Sequence, residues 1–216
     1  MAIIAPSILA ADFANLERDI HDIELHGGNW VHVDVMDGLF VPNITIGMPV
    51  VKALRRVTKL PLDVHLMILE PIRYVEAFVK AGADWLTIHI EADTQENTLA
   101  ALDRIHALGC KAAISLKPAT PAEAAAPYLE KCDMILVMTV EPGLGGQNFM
   151  MDMMPKLKKL RQMLDEVNPE CILEVDGGIN TVTQAIVKEN GAEALVTGSA
   201  YFTAPDRGAF VRIVQE

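Results

Sequence analysis

Short apolar runs rich in β-branched residues recur along the chain, and each gives way to a stretch where apolar positions return every three or four residues. The runs fall at 3–8, 30–35, 62–66, 85–90, 112–116, 134–140, 171–175 and 194–197, and they predict eight strands. The intervening spacings of three and four predict amphipathic helices, for example over 13–25, 71–81 and 181–189. Gly27, Gly82, Gly109 and Gly191 stand shortly before a strand, where a left-handed residue can close a helix. Pro71 and Pro121 stand where a helix would begin. No linker, low-complexity stretch or break in composition divides the chain. Eight βα units within 216 residues predict one (β/α)8 TIM barrel, with residues 1–216 as a single α/β domain. An open doubly wound sheet is the other arrangement to weigh. Against it, the first run leads into Ala5-Pro6-Ser7 rather than a G-x-G-x-x-G turn.

In such a barrel the C-terminal ends of the strands carry the chemistry. The second run reads Trp30-Val31-His32-Val33-Asp34-Val35-Met36-Asp37-Gly38. Alternation puts Val31, Val33 and Val35 on one face, toward helices, and His32 and Asp34 on the other, inside the barrel. Two ionisable groups in an interior usually filled by branched apolar residues need compensation, and a bound cation would supply it. His65 ends the third strand and Asp176 the seventh. Two imidazoles and two carboxylates converging from strand ends suit a borderline divalent ion: Zn²⁺ first, with Fe²⁺, Mn²⁺ or Co²⁺ as alternatives. Asp63 and Glu174 fall on the inward face one layer deeper, either as partners of the ligands or in ordinary buried ion pairs. His89 on the fourth strand either packs in the core or approaches the same site. His21, His26 and His106 fall on helices or their ends and are read as surface residues.

Three glycine-rich segments follow adjacent strands: Gly143-Leu144-Gly145-Gly146 after the sixth, Gly177-Gly178 after the seventh, and Gly198-Ser199 after the eighth. Each is either a simple turn or part of a phosphate cradle made from backbone N–H groups, since none contains Lys or Arg. The stretch 143–146 is long enough to close over a substrate as a lid. Met36, Met67 and Met138 fall near strand ends, as core gap fillers or as an apolar roof over a polar mouth.

Charge narrows the partners. The chain has 18 basic and 29 acidic side chains, a net charge of −11, which disfavours nucleic acid. The one basic run, 156–161, reads as the solvated face of a helix. Three isolated cysteines, Cys110, Cys132 and Cys171, offer neither a disulfide framework nor a zinc ribbon and fit a reducing compartment. The apolar stretch 1–11 lacks a basic n-region, and no run approaches the ~18 apolar residues of a membrane span. A cytoplasmic protein without membrane partners is expected.

The strings His32-Val33-Asp34-Val35-Met36-Asp37-Gly38 and Val137-Met138-Thr139-Val140-Glu141-Pro142-Gly143 are long and specific. Together with Ala5-Pro6-Ser7-Ile8-Leu9, Val41-Pro42-Asn43-Ile44-Thr45, His65-Leu66-Met67 and Glu174-Val175-Asp176-Gly177-Gly178, they make the chain resemble the ribulose-phosphate 3-epimerase family along essentially its whole length. The resemblance implies interconversion of D-ribulose 5-phosphate and D-xylulose 5-phosphate in the pentose phosphate pathway. It implies one divalent metal per subunit, bound by His32, Asp34, His65 and Asp176, with Asp34 and Asp176 as the acid/base pair. It implies that Ser7, His65 and the three glycine loops meet the substrate, a small phosphorylated ketose, and that the subunits form homo-oligomers. Leu144 and Asn148 depart from the Phe and Lys that are usual there. Competing readings are an allulose-6-phosphate 3-epimerase, a metal-free phosphate-binding barrel enzyme such as a decarboxylase, and a non-catalytic sugar-phosphate binder.

Overall fold

The computed structural model describes residues 1–216. Eight parallel strands form one sheet: β1 (Ile3–Pro6), β2 (Val31–Met36), β3 (Leu62–Met67), β4 (Trp85–His89), β5 (Lys111–Leu116), β6 (Met134–Met138), β7 (Ile172–Asp176) and β8 (Ala194–Thr197). Their order is β1-β8-β7-β6-β5-β4-β3-β2, so the sheet curls almost into a closed ring. A single bridge between Ser7 and His32 joins the two edge strands. The seam is reinforced by Asn29, whose side chain accepts from the Ile4 amide at 2.9 Å.

The alternation expected from the sequence sorts the side chains into two populations. Val31, Val33, Val35, Val64, Ile88, Ile114, Val137, Val175 and Leu195 point outward and are buried under helices in one large apolar cluster. Fully burying such a side chain contributes roughly 1.5–3 kcal/mol. The inward set changes character with height. At the bottom, Ile3, Trp30, Trp85, Met134 and Ile172 belong to a separate small cluster, and the rings of Trp30 and Trp85 lie 4.9 Å apart. Above this plug come buried polar and charged residues: His32, Asp63, Thr87, Ser115 and Glu174, then Asp34, His65 and His89.

The helices are α1 (Leu16–Leu25), α2 (Met48–Val57), α3 (Val75–Ala81), α4 (Gln95–Ala107), α5 (Met154–Val167), α6 (Thr183–Glu189), α7 (Ser199–Phe202) and α8 (Arg207–Gln215). All four glycines read as helix ends have positive φ, between 79° and 116°. Several details correct the sequence expectations. Residues Phe13–Asn15 and Pro71–Arg73 form single 3₁₀ turns ahead of α1 and α3 rather than their first turns. After Pro121 the chain forms a 3₁₀ segment, Ala122–Lys131, instead of an α-helix. Pro127 lies inside it and can donate no backbone hydrogen bond, which explains why a regular helix does not form. The sixth strand stops at Met138, two residues early, because the chain turns there into the loop that lines the mouth.

The basic run on α5 is only partly a solvated face. Lys158 and Lys159 are exposed. Lys156 instead donates to the carbonyls of Lys117 and Pro118 at 2.9 and 2.7 Å. Arg161 ties the Cys171 carbonyl to Glu193. Cys110, Cys132 and Cys171 are free thiols, all buried.

Candidate active site

The mouth of the barrel opens into a cavity of about 640 Å³. Its lining includes Ser7, Asp34, Met36, Met67, Met138, Gly143, Leu144, Gly145, Gly146, Asp176, Gly177, Gly178, Gly198 and Ser199. No Lys or Arg is among the lining residues. His32 and His65 do not reach it; both are fully buried just beneath its floor.

That floor is a compact constellation. Nitrogen and oxygen atoms of His32, Asp34, His65 and Asp176 all lie within 4.8 Å of one another. Asp34 Oδ1 is 3.3 Å from His32 Nε2 and 3.2 Å from His65 Nδ1. Its other oxygen, Oδ2, accepts from the Ser7 hydroxyl at 2.5 Å. Thr45 fixes the end of β2, donating to the Asp34 carbonyl at 2.6 Å and accepting from the Met36 amide at 3.0 Å. Asp37 lies outside the constellation. Its carboxylate accepts from the amides of Leu39, Phe40 and Leu69 and so pins two loops at the rim.

The proton inventory shows what this arrangement needs. Asp63 accepts from His32 Nδ1–H at 2.5 Å. Neutral His32 then turns the lone pair of Nε2 toward a carboxylate, and that buried nitrogen has no hydrogen-bond partner. Lone pair against anion is repulsive unless a cation lies between them. Two imidazole nitrogens and two carboxylates, with no thiolate nearby, fit one divalent ion of the zinc type. Without an ion the same crowding acts on protons. Burial opposes a charge on His32, but Asp63 and Asp34 outweigh it and hold the imidazole well above its ordinary value. Burial and the charge of Asp34 push Asp176 up to about 6. Asp34, flanked by His32 and His65, is held low despite its burial.

One layer down, Asp63 is a direct partner of His32, accepting from its Nδ1 at 2.5 Å. Glu174 pairs with no cation. Neither of its oxygens has a partner, nor has Asp63 Oδ1 nearby. Burial, then the charge of Asp63, raise Glu174 well above the carboxylate range, which favours its protonated form.

The glycine loops differ in what their backbones demand. Gly177 has φ 127°, and a Cβ there would sit 2.7–2.8 Å from Val140. A Cβ at Gly178 would meet the Phe149 backbone at 2.8 Å. Glycine is therefore required at both positions to bring the loops after β6 and β7 together. At Gly146 and Gly198 a Cβ would meet no protein atom, which leaves open space at the cavity wall. The 141–147 loop is knitted by Gln147, which donates to the carbonyls of Glu141 and Leu144 at 2.6 and 2.8 Å. Asn43 donates to the Gly143 carbonyl at 3.1 Å and bridges this loop to the one after β2. Leu9 and Asn43, from the strings that carry the resemblance, also line the cavity, as do Asn180 and Phe149, which went unnamed in the sequence because loop residues carry no periodic signal. Leu144 is largely exposed at the loop tip.

Comparison with known proteins gives the family. Residues 3–202 match the family model described as the Ribulose-phosphate 3 epimerase family. This chain belongs to the ribulose-phosphate 3-epimerase family. Ribulose-phosphate 3-epimerase of Synechocystis is 49% identical over 204 residues, covering 94% of this chain and 89% of its own length. The Bacillus subtilis protein of the same name is 49% identical, covering 94% of both chains. Ribulose-5-phosphate-3-epimerase, chloroplastic, of Arabidopsis thaliana is 48% identical over 94% of this chain and 73% of its own. Among solved structures, 3-keto-L-gulonate-6-phosphate decarboxylase from Vibrio cholerae superposes with a TM-score of 0.74, covering 99% of this chain and 97% of its own. At 14% identity that likeness speaks to the barrel alone. Within the epimerase family's span lie β1 to β8 and every residue of the floor constellation. No helix is long and apolar enough to cross a membrane.

Proposed function

We propose that this chain is an isomerase, a D-ribulose-5-phosphate 3-epimerase that inverts carbon 3 of the ketopentose phosphate by two-carboxylate acid/base chemistry. The observation that carries the reading is the floor constellation: Asp34 from β2 and Asp176 from β7 reach one centre with His32 and His65. The hydrogen at carbon 3 is acidified by the neighbouring ketone, and its removal gives an enediolate. Inversion requires a base on one face of the carbon and an acid on the other. Asp34, kept anionic by the imidazoles, is suited to take the proton. Asp176, raised to about 6 by burial and the charge of Asp34, is the more readily protonated of the two and is suited to return one on the opposite face. The roles exchange in the reverse direction, so the two carboxyls should titrate as a coupled pair.

A divalent ion held by His32, Asp34, His65 and Asp176, with zinc the first candidate, would supply Lewis-acid stabilisation of the developing oxyanion. Ser7 orients Asp34 through its hydrogen bond and stands at the substrate. The phosphate is assigned to Gly177, Gly178, Gly198 and Ser199, a wall that is open at Gly198 and free of side-chain cations, so backbone N–H groups would bind it. Gly143, Leu144, Gly145 and Gly146 would close over it. Met36, Met67 and Met138, buried around the cavity, would keep water from the enediolate. A cytoplasmic role in the pentose phosphate pathway, as a homo-oligomer, belongs to the same reading.

The test is exchange of the substrate's carbon-3 hydrogen with solvent deuterium, followed with and without a chelator. Exchange that the chelator abolishes is expected. Absence of exchange in the metal-loaded protein would remove the epimerase reading, and undiminished exchange after metal removal would remove the metal from it. Comparing pentose and hexose phosphates in the same assay decides between ribulose 5-phosphate and allulose 6-phosphate as substrate.

A further inference from the structure

His65 is held from behind by a chain of groups that starts outside the floor constellation. Its Nε2 lies 2.9 Å from His89 Nε2, and His89 Nδ1 lies 3.2 Å from Glu91 Oε2. Both imidazoles are fully buried. Glu91 itself is fixed, since its Oε1 accepts from the Lys117 amide at 2.8 Å and from the Thr120 hydroxyl. Phe40 packs on the His89 ring with centroids 4.8 Å apart. The stretch that carries Lys117 is tied down in turn by Lys156 of α5.

The order of protons along this chain follows from the acceptor at its end. A carboxylate only accepts, so Glu91 requires the proton of His89 to sit on Nδ1. Neutral His89 then offers a lone pair at Nε2, which is satisfied only if His65 donates from its own Nε2. His65 is left with a lone pair on Nδ1, the atom that faces Asp34 Oδ1 at 3.2 Å. We propose that Glu91 and His89 are positioning residues that lock His65 in its Nε2–H tautomer, so that Nδ1 is presented as a preformed metal ligand. This inference rests on the metal reading above and adds to it residues that do not touch the ion.

Glu91→Gln is close in shape, and its carbonyl can still accept from Lys117 and Thr120. Its NH₂ would then face His89 Nδ1, reversing the donor order and driving the His65 proton onto Nδ1, where a metal must displace it. The measurements are the dissociation constant of Zn²⁺ by competition with a chromophoric chelator, and ¹⁵N shifts of the histidine rings in metal-free protein, which report tautomers directly. In the unmutated protein we expect one tightly bound ion, with neutral His65 protonated on Nε2 and His89 on Nδ1. In Glu91→Gln we expect the tautomers reversed and affinity lower by roughly 10–100-fold, with the thermal midpoint of the metal-free protein little changed. Equal affinity in the two proteins, or a neutral His65 already protonated on Nδ1 without the mutation, would overturn the relay while leaving the metal site standing. An unmutated protein that binds no zinc would overturn both.

Discussion

The bottom of the barrel and its mouth are built from the same strands by the same alternation, yet their chemistry is opposite. At the bottom, Trp30 and Trp85 close the ring with Ile3, Met134 and Ile172, all apolar and mutually packed. Two or four residues further along β2, β4 and β7, and on β3 between them, the inward positions are His32, Asp34, Asp63, His65, His89, Glu174 and Asp176. The lower region gives up nothing to function and stabilises the ring. The upper region holds buried ionisable groups, several with unpartnered atoms, in an arrangement that only a cation or added protons relieve. Stability and reactivity are thus separated by height along the barrel axis rather than by segment of sequence.

Mutations at the two levels should therefore fail differently. The largest effect is expected at the mouth: Asp34→Asn or Asp176→Asn should lower turnover by roughly 10²–10⁴-fold, the range of a lost general acid or base, while KM moves far less. Steady-state kinetics checks this, and near-normal turnover in either variant takes that residue out of the acid/base role. The complementary change is Trp30→Ala at the bottom, which should reduce stability by about 3–5 kcal/mol, as for other large aromatic truncations. Denaturant unfolding would register that loss, while kcat of the folded fraction and zinc affinity stay near their original values. A matching loss of kcat would show that the two levels are coupled.

The smallest effect sharpens the comparison through pH. Asp176 in the metal-free protein is raised from about 3.8 to about 6. A carboxyl raised by folding contributes stability that is fully present below its unfolded value of about 3.8, and that contribution is lost as pH rises through about 6. Metal-free Asp176→Asn lacks this term, so its melting temperature should gain on that of the unmutated protein by a few degrees between pH 4 and 7. Zinc should cancel the difference in the unmutated protein. A pH-independent gap would mean that Asp176 is not desolvated as described.

Much of this was legible along the chain because alternation is a local signal. Val31, Val33 and Val35 against His32 and Asp34 assigns both faces of β2 without any tertiary knowledge, and the glycine-terminated helices follow from backbone rules. What stayed hidden depends on neighbours across strands. The sequence leaves open whether His89 packs in the core or approaches the site, a choice that its neighbour His65 on β3 decides, and Glu91 lies beyond the end of β4, where periodicity has already lapsed. The same holds for Lys156, whose helix face alone suggests solvent although its amine reaches the carbonyls after β5. Pro121 marks a helix start in the sequence, but a proline at that place does not separate the 3₁₀ segment Ala122–Lys131 from an α-helix, and only Pro127 hints at the difference.

The three thiols occupy neither level. Burial pushes Cys110 and Cys171 up to about 12, and Cys132 is also raised. Thiolates react and thiols do not, so a maleimide or disulfide reagent in the solvent should find these sulfurs silent until the outer shell of helices parts from the strands. The protein thus carries three native stopwatches for its own opening. Their labelling rates, read one cysteine at a time by mass spectrometry, would time the loosening of each sector of the ring without any introduced probe.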